Sequence, residues 1–170
     1  MRKKQFWFVY IILLVGQLLL STYCTFSPYL TLSILPVMVL CIPNRVHTSL
    51  AMLIALASGL FVDWLSEGML GLNALSLVPV AYARKGIIGL IFGNDLFARR
   101  EDFSARKNGY EPLSLAILLA QGIFLAIYVW ADSAGTRPFL FNTARFAVSL
   151  IAGFLVSLLV SEVLAPDSRR

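Results

Sequence analysis

Long apolar runs, broken at short intervals by polar and turn-forming clusters, dominate this chain. The runs at 6–24, 46–65, 113–131 and 139–164 approach or exceed the ~20 apolar residues that a helix needs to cross a hydrocarbon layer. Two further runs, at 29–42 and 69–83, are shorter and contain Pro36 and Pro79. Each of these is predicted as a tilted, broken or re-entrant helix protected by its neighbours. Pro43-Asn44-Arg45 ends the second run, since proline cannot continue the backbone ladder. Ser66-Glu67-Gly68 turns the third run into the fourth, and Arg84-Lys85 stops the fourth. An interfacial piece at 86–92 and a polar loop at 93–112 precede the fifth run, and 132–138 links it to the sixth. The pattern predicts an all-α integral membrane protein: one transmembrane domain over residues 1–170, built as a bundle of about six helices.

Composition strengthens this reading. Apolar residues make up 59% of the chain and charged residues 14%, whereas soluble domains are about one quarter charged. The formal net charge of +5 does not point to nucleic acid, because the basic residues punctuate apolar runs instead of forming a patch. Topology explains their placement better. With the amino terminus inside, Arg2, Lys3, Lys4, Arg45, Arg84, Lys85, Arg99, Arg100, Arg106, Lys107, Arg169 and Arg170 share the inner side. Of the 14 Lys and Arg residues, only Arg137 and Arg145 fall outside. Both termini are therefore expected in the cytoplasm. The exit from the first run, Ser21-Thr22-Tyr23-Cys24, lacks a signal-peptidase pattern, so that run is expected to be a retained crossing. Cys24 and Cys41 fall at opposite ends of consecutive runs, too far apart for a disulfide.

Polar residues inside the runs are the candidate working parts. Helices in lipid associate through small residues and polar contacts, not through the hydrophobic effect. In the third run Ala51, Ala55, Gly59 and Asp63 recur every four residues on one helical face. In the sixth, Arg145, Ser149, Gly153, Ser157 and Ser161 do the same. The two runs are antiparallel in the predicted topology, so the stripes are expected to pack together, Gly59 near Ser149 and Ala55 near Gly153. Asp63 and Arg145 then either pair or are separately solvated near the outer surface. Gln17 and Gln121, midway along the first and fifth runs, either make interhelical hydrogen bonds or line a polar cavity. Asn73 is placed to pin the preceding turn. Trp7, Tyr10, Tyr23, Tyr29, Trp64, Tyr82 and Trp130 stand mainly near run ends, as interfacial anchors do.

Recognisable catalytic patterns are missing. The single His47 sits at a membrane boundary, no His–Cys cluster has metal-ligand spacing, and there is no Gly-rich phosphate loop. The outer acids Asp63, Glu67 and Asp132 form no paired-carboxylate motif. The chain is not expected to be an enzyme or to need a cofactor. The inner stretch 99–107 mixes both charge signs around Phe103; it either docks a cytoplasmic partner or anionic headgroups, or is a solvated loop.

Between residues 30 and 92 the pattern becomes more specific. A short apolar helix, a Pro-and-Arg turn, Gly59-x-x-x-Asp63 and, eight residues later, Gly71 within Leu70-Gly71-Leu72 resemble the rod shape-determining MreD family. Chain length, the basic start and the six-run hydropathy agree, while Glu67 stands where members often have a small residue. The resemblance implies a fold like that of the substrate-binding subunits of energy-coupling-factor transporters. It also implies a non-catalytic scaffold of the bacterial cell-elongation machinery in the inner membrane. Such a subunit binds MreC, a bitopic membrane protein, and through it joins MreB filaments to a RodA-type polymerase and its transpeptidase. Carried over by position, Gly59, Asp63 and Gly71 are the signature residues, shaping the turn between the third and fourth helices. The competing reading is a substrate-capturing subunit of a vitamin-type transporter, with Asp63, Asn73 and Arg145 converging on a small molecule.

Overall fold

The computed structural model of the chain describes residues 3–23, 31–43, 46–66, 69–93, 110–134 and 137–164. The regular elements among them are all α-helices: α1 (Lys3–Tyr23), α2 (Leu35–Leu40), α3 (Thr48–Leu65), α4 (Leu72–Phe92), α5 (Tyr110–Ser133) and α6 (Phe139–Leu164). Helices α3 to α6 are long and apolar enough to cross a membrane, and α1 carries a shorter apolar stretch, Phe6–Thr22. The polarity of surface and interior agrees with lipid as solvent. Large apolar side chains such as Leu53, Leu90 and Leu140 point outward, while Gln17, Asp63, Arg84, Gln121 and Ser149 are buried. The chain is an all-α, multi-pass membrane bundle.

Helices α3 and α4 form one antiparallel hairpin and α5 and α6 another, joined by the packing of α4 on α5. Between them lies α2, in contact with α4, α5 and α6. All six of its residues are buried, none of the five apolar side chains beside Pro36 more than 1% exposed. Helix α1 closes the bundle against α2, α3 and α6.

Several sequence boundaries change. Over its described residues the run at 29–42 is a broken helix, one of the forms expected of it, but the break precedes Pro36. Residues 31–34 are non-helical and precede only six helical residues. Pro36 stands in the first turn of α2, where a missing N–H costs nothing, so it starts that helix instead of bending it. Nor does Arg84-Lys85 stop the fourth helix: α4 continues to Phe92 and absorbs the piece read as interfacial. A charge ends a crossing when it must reach water, and Arg84 finds its partners inside the bundle. His47 is exposed at the start of α3, in line with a solvated boundary residue. Cys41 is a free thiol. Cys24, the Glu67–Gly68 tip, the 99–107 stretch and the basic residues Arg2, Arg45, Arg169 and Arg170 lie outside the described residues.

Candidate functional site

A non-helical chain inside a membrane bundle must hydrogen-bond its own peptide groups to protein, because each one left bare in a water-free layer costs several kcal/mol. In residues 31–34 four peptide groups are met by side chains from three helices. Gln17 of α1 accepts the Ile34 N–H at 2.8 Å and donates to the Leu32 carbonyl at 3.3 Å, and to Ser21 Oγ at 3.1 Å. Its amide thus takes the place of a neighbouring strand. From α5, Gln121 Nε2 donates to the Ser33 carbonyl at 3.2 Å. From α6, Ser149 Oγ accepts the Thr31 N–H at 2.9 Å, and Arg145 Nε donates to Thr31 Oγ1 at 3.0 Å. The two glutamines therefore bond a helix to the non-helical segment, not helix to helix as expected, and are aimed at its backbone.

The far end of the same segment has the opposite problem. The last carbonyls of a helix lack intrahelical donors. Arg84 of α4 supplies them: Nε donates to the Leu40 carbonyl at 3.1 Å and Nη2 to the Ile42 carbonyl. A cation at a helix carboxyl end is also favoured by the helix dipole. With 1% exposure, Arg84 is an internal clamp and not the solvated topology marker that its position suggested.

The third construction joins α3 to α4. Asp63, 3% exposed, accepts the N–H groups of Gly71 at 3.0 Å, Asn73 at 3.1 Å and Ala74 at 3.3 Å, and Asn73 Nδ2 at 2.8 Å. These are donors of the first turn of α4, which otherwise have no acceptor. Asp63 thus caps a helix other than its own, with its negative charge at the positive end of the dipole. Gly71 carries φ +92°, a left-handed conformation that a side chain disfavours. Gly59 lets the two backbones touch: a Cβ there would lie 2.5 Å from Ala74 Cα and 2.6 Å from its nitrogen.

The structure brings Gly59, Asp63 and Gly71 together at this junction and leaves Arg145 and Gly153 elsewhere. Arg145 forms its ion pair with Asp132 of α5, not with Asp63. Backbone donors of α4 and the Asn73 amide already saturate Asp63, and the α5–α6 hairpin places Asp132 beside Arg145. The expected packing of α3 on α6 is likewise replaced. Gly59 of α3 faces α4, and Gly153 of α6 faces the Gln121 amide, whose Nε2 would lie 2.3 Å from a Cβ at position 153. Gly59 and Asp63 of the first stripe thus face the hairpin partner α4, whereas the second stripe is shared between α5, through Gly153 and Arg145, and Thr31, through Arg145 and Ser149. Arg84, Asp132, Thr31 and Ser149 are working residues whose roles the sequence did not reveal. The available signals were a cation within an apolar run and opposite charges flanking one hairpin turn. Among the described residues, no group of three His, Cys, Asp or Glu side chains is placed to hold a metal.

Three substitutions test these roles. Asp63→Ala is expected to lower stability by about 2–4 kcal/mol in reversible micelle unfolding, with Asp63→Asn losing less because one acceptor oxygen survives. Gln17→Leu, which keeps volume but removes the strand-like amide, is expected to cost about 1–3 kcal/mol. Gly59→Ala is expected to cost about 1–3 kcal/mol, since backbone and not a flexible side-chain tip must move. Unchanged unfolding midpoints for all three would contradict the clamps.

Comparison with protein-family models, curated proteins and solved structures returns no match to this chain.

Proposed function

We propose that the chain is a non-catalytic scaffold subunit of the bacterial cell-elongation machinery, of the MreD kind. It sits in the cytoplasmic membrane with both termini inside. It binds an MreC-like bitopic protein and through that protein joins MreB filaments to a RodA-type polymerase and its transpeptidase. The observation that carries the proposal is the meeting of Gly59, Asp63 and Gly71 at one junction. These are the three residues on which the resemblance rests, and together they form a single built object. Its chemistry supports a structural role, because the carboxylate is occupied by backbone N–H groups. The same holds for the other polar groups that a substrate would need. Asn73 binds Asp63, and Arg145 binds Asp132 and Thr31. A bundle whose polar groups hold its own backbone offers partners a fixed outer shape.

The transporter reading keeps one observation in its favour. Gln121 Oε1, Asn142 Oδ1 and Ser157 Oγ are buried without a hydrogen-bond partner among the described residues, and a small polar molecule inside the bundle would have to reach such groups. Depletion of the protein in its rod-shaped host separates the two. The scaffold predicts rounded cells and loss of the MreC-like protein from the complex captured through the RodA-type polymerase, restored by the native chain but not by Asp63→Ala. Rod-shaped depleted cells with a defect in uptake of one nutrient would favour the transporter.

A further inference from the structure

The turn between α3 and α4 is the part of the surface that the proposed function leaves unused, and its polarity is unusual. A turn that emerges into water normally exposes polar side chains and leaves its helix-end N–H groups to the solvent. Here Trp64 is 75% exposed, Met69 64% and Leu70 73%, with Leu65 beside them. These side chains continue the apolar outer faces of the two spanning helices, through Leu60 and Phe61 on α3 and Leu75 on α4. The backbone that opens α4 needs little from water. Every N–H from residue 71 to residue 75 has an acceptor within the chain: Asp63 takes those of Gly71, Asn73 and Ala74, Met69 O that of Leu72, and Gly71 O that of Leu75. The Ser66 N–H goes to Val62 O.

Length points the same way. Helix α3 has 18 residues, about 27 Å at 1.5 Å per residue, against a hydrocarbon layer of about 30 Å. It begins directly after the exposed His47, so its other end reaches the far hydrocarbon boundary without passing beyond it.

We infer that Trp64 at the end of α3 and Met69 and Leu70 before α4 form a lipid-binding patch that inserts into the headgroup–acyl boundary of the bilayer, and that Asp63 supports this by taking the backbone donors that open α4 away from solvent. The occupant is phospholipid, because the patch is continuous with faces that lipid already covers. This inference is independent of any elongation partner.

The test uses the full chain reconstituted in phosphatidylcholine vesicles. Trp64→Phe changes only an exposed ring, so the fluorescence of the native chain minus that of this variant isolates Trp64 from Trp7 and Trp130. Lipids brominated near the headgroup end are expected to quench the difference signal at least about twofold more than deeply brominated lipids or aqueous acrylamide, as an anchor ~5–10 Å below the surface requires. Strong quenching by acrylamide with little by either bromolipid would overturn the inference by placing the turn in water. Quenching by neither reagent would overturn it by showing that protein, such as a second copy of the chain, covers the patch.

Discussion

The structure is organised around thirteen residues, 31–43, that pass through the middle of the bundle without enough helix to satisfy themselves. An extended residue advances about 3.3 Å and a helical one about 1.5 Å. A short non-helical stretch and six helical residues therefore bridge the level of Arg145 to that of Arg84 with fewer residues than a regular crossing needs. The saving in length leaves unpaired peptide groups at both ends of α2, in a place where water cannot serve them. Gln17, Gln121, Ser149 and Arg84 are distributed over α1, α5, α6 and α4, so every long helix except α3 contributes to holding this one segment. A six-residue helix has no independent stability. Here its surroundings hold it.

Helix α3 has a separate assignment, and it illustrates how lipid changes the meaning of small residues. In water a glycine in a helix interior is mostly a cost; in lipid, close approach is one of the few sources of association energy. Gly59 admits the backbone of α4 itself, and Gly153 admits a side-chain amide that must reach Ser33. The same residue type on two similar stripes thus serves backbone packing in one hairpin and polar bonding in the other.

This distinction marks the limit of what the sequence could tell. A period of four identifies which face of a helix is crowded, and both stripes are buried as expected. It does not say which neighbour crowds it, because any antiparallel helix satisfies the same periodicity. Opposite charge is similarly incomplete. Asp63 and Arg145 are opposite in sign and expected at one level, yet a carboxylate one turn from a helix end competes for backbone donors as well as cations, and it is Asp132 that pairs with Arg145. Arg84 shows the converse problem. Counting cations by side works because most are solvated, and a cation that finds carbonyls inside the protein obeys none of the reasons for the count.

The distribution of polarity also constrains how the molecule can recognise a protein. Its charged and amide groups inside the bundle are largely turned inward and bonded to its own backbone, while the membrane-facing surface is Leu, Ile, Phe and Trp. A transmembrane partner meeting that surface gains nothing from the hydrophobic effect, since lipid is equally apolar, and must be chosen by fit. Fit requires a surface that does not shift. Asp63 fixes the relative position of α3 and α4, and the Gln17–Gln121–Ser149 set fixes α1, α5 and α6 around residues 31–34, so buried residues determine the outer shape of the bundle. On this view a polar substitution deep in the bundle and an apolar one on its exterior can produce the same loss of association. The first also lowers the stability of the isolated protein, whereas the second leaves it unchanged.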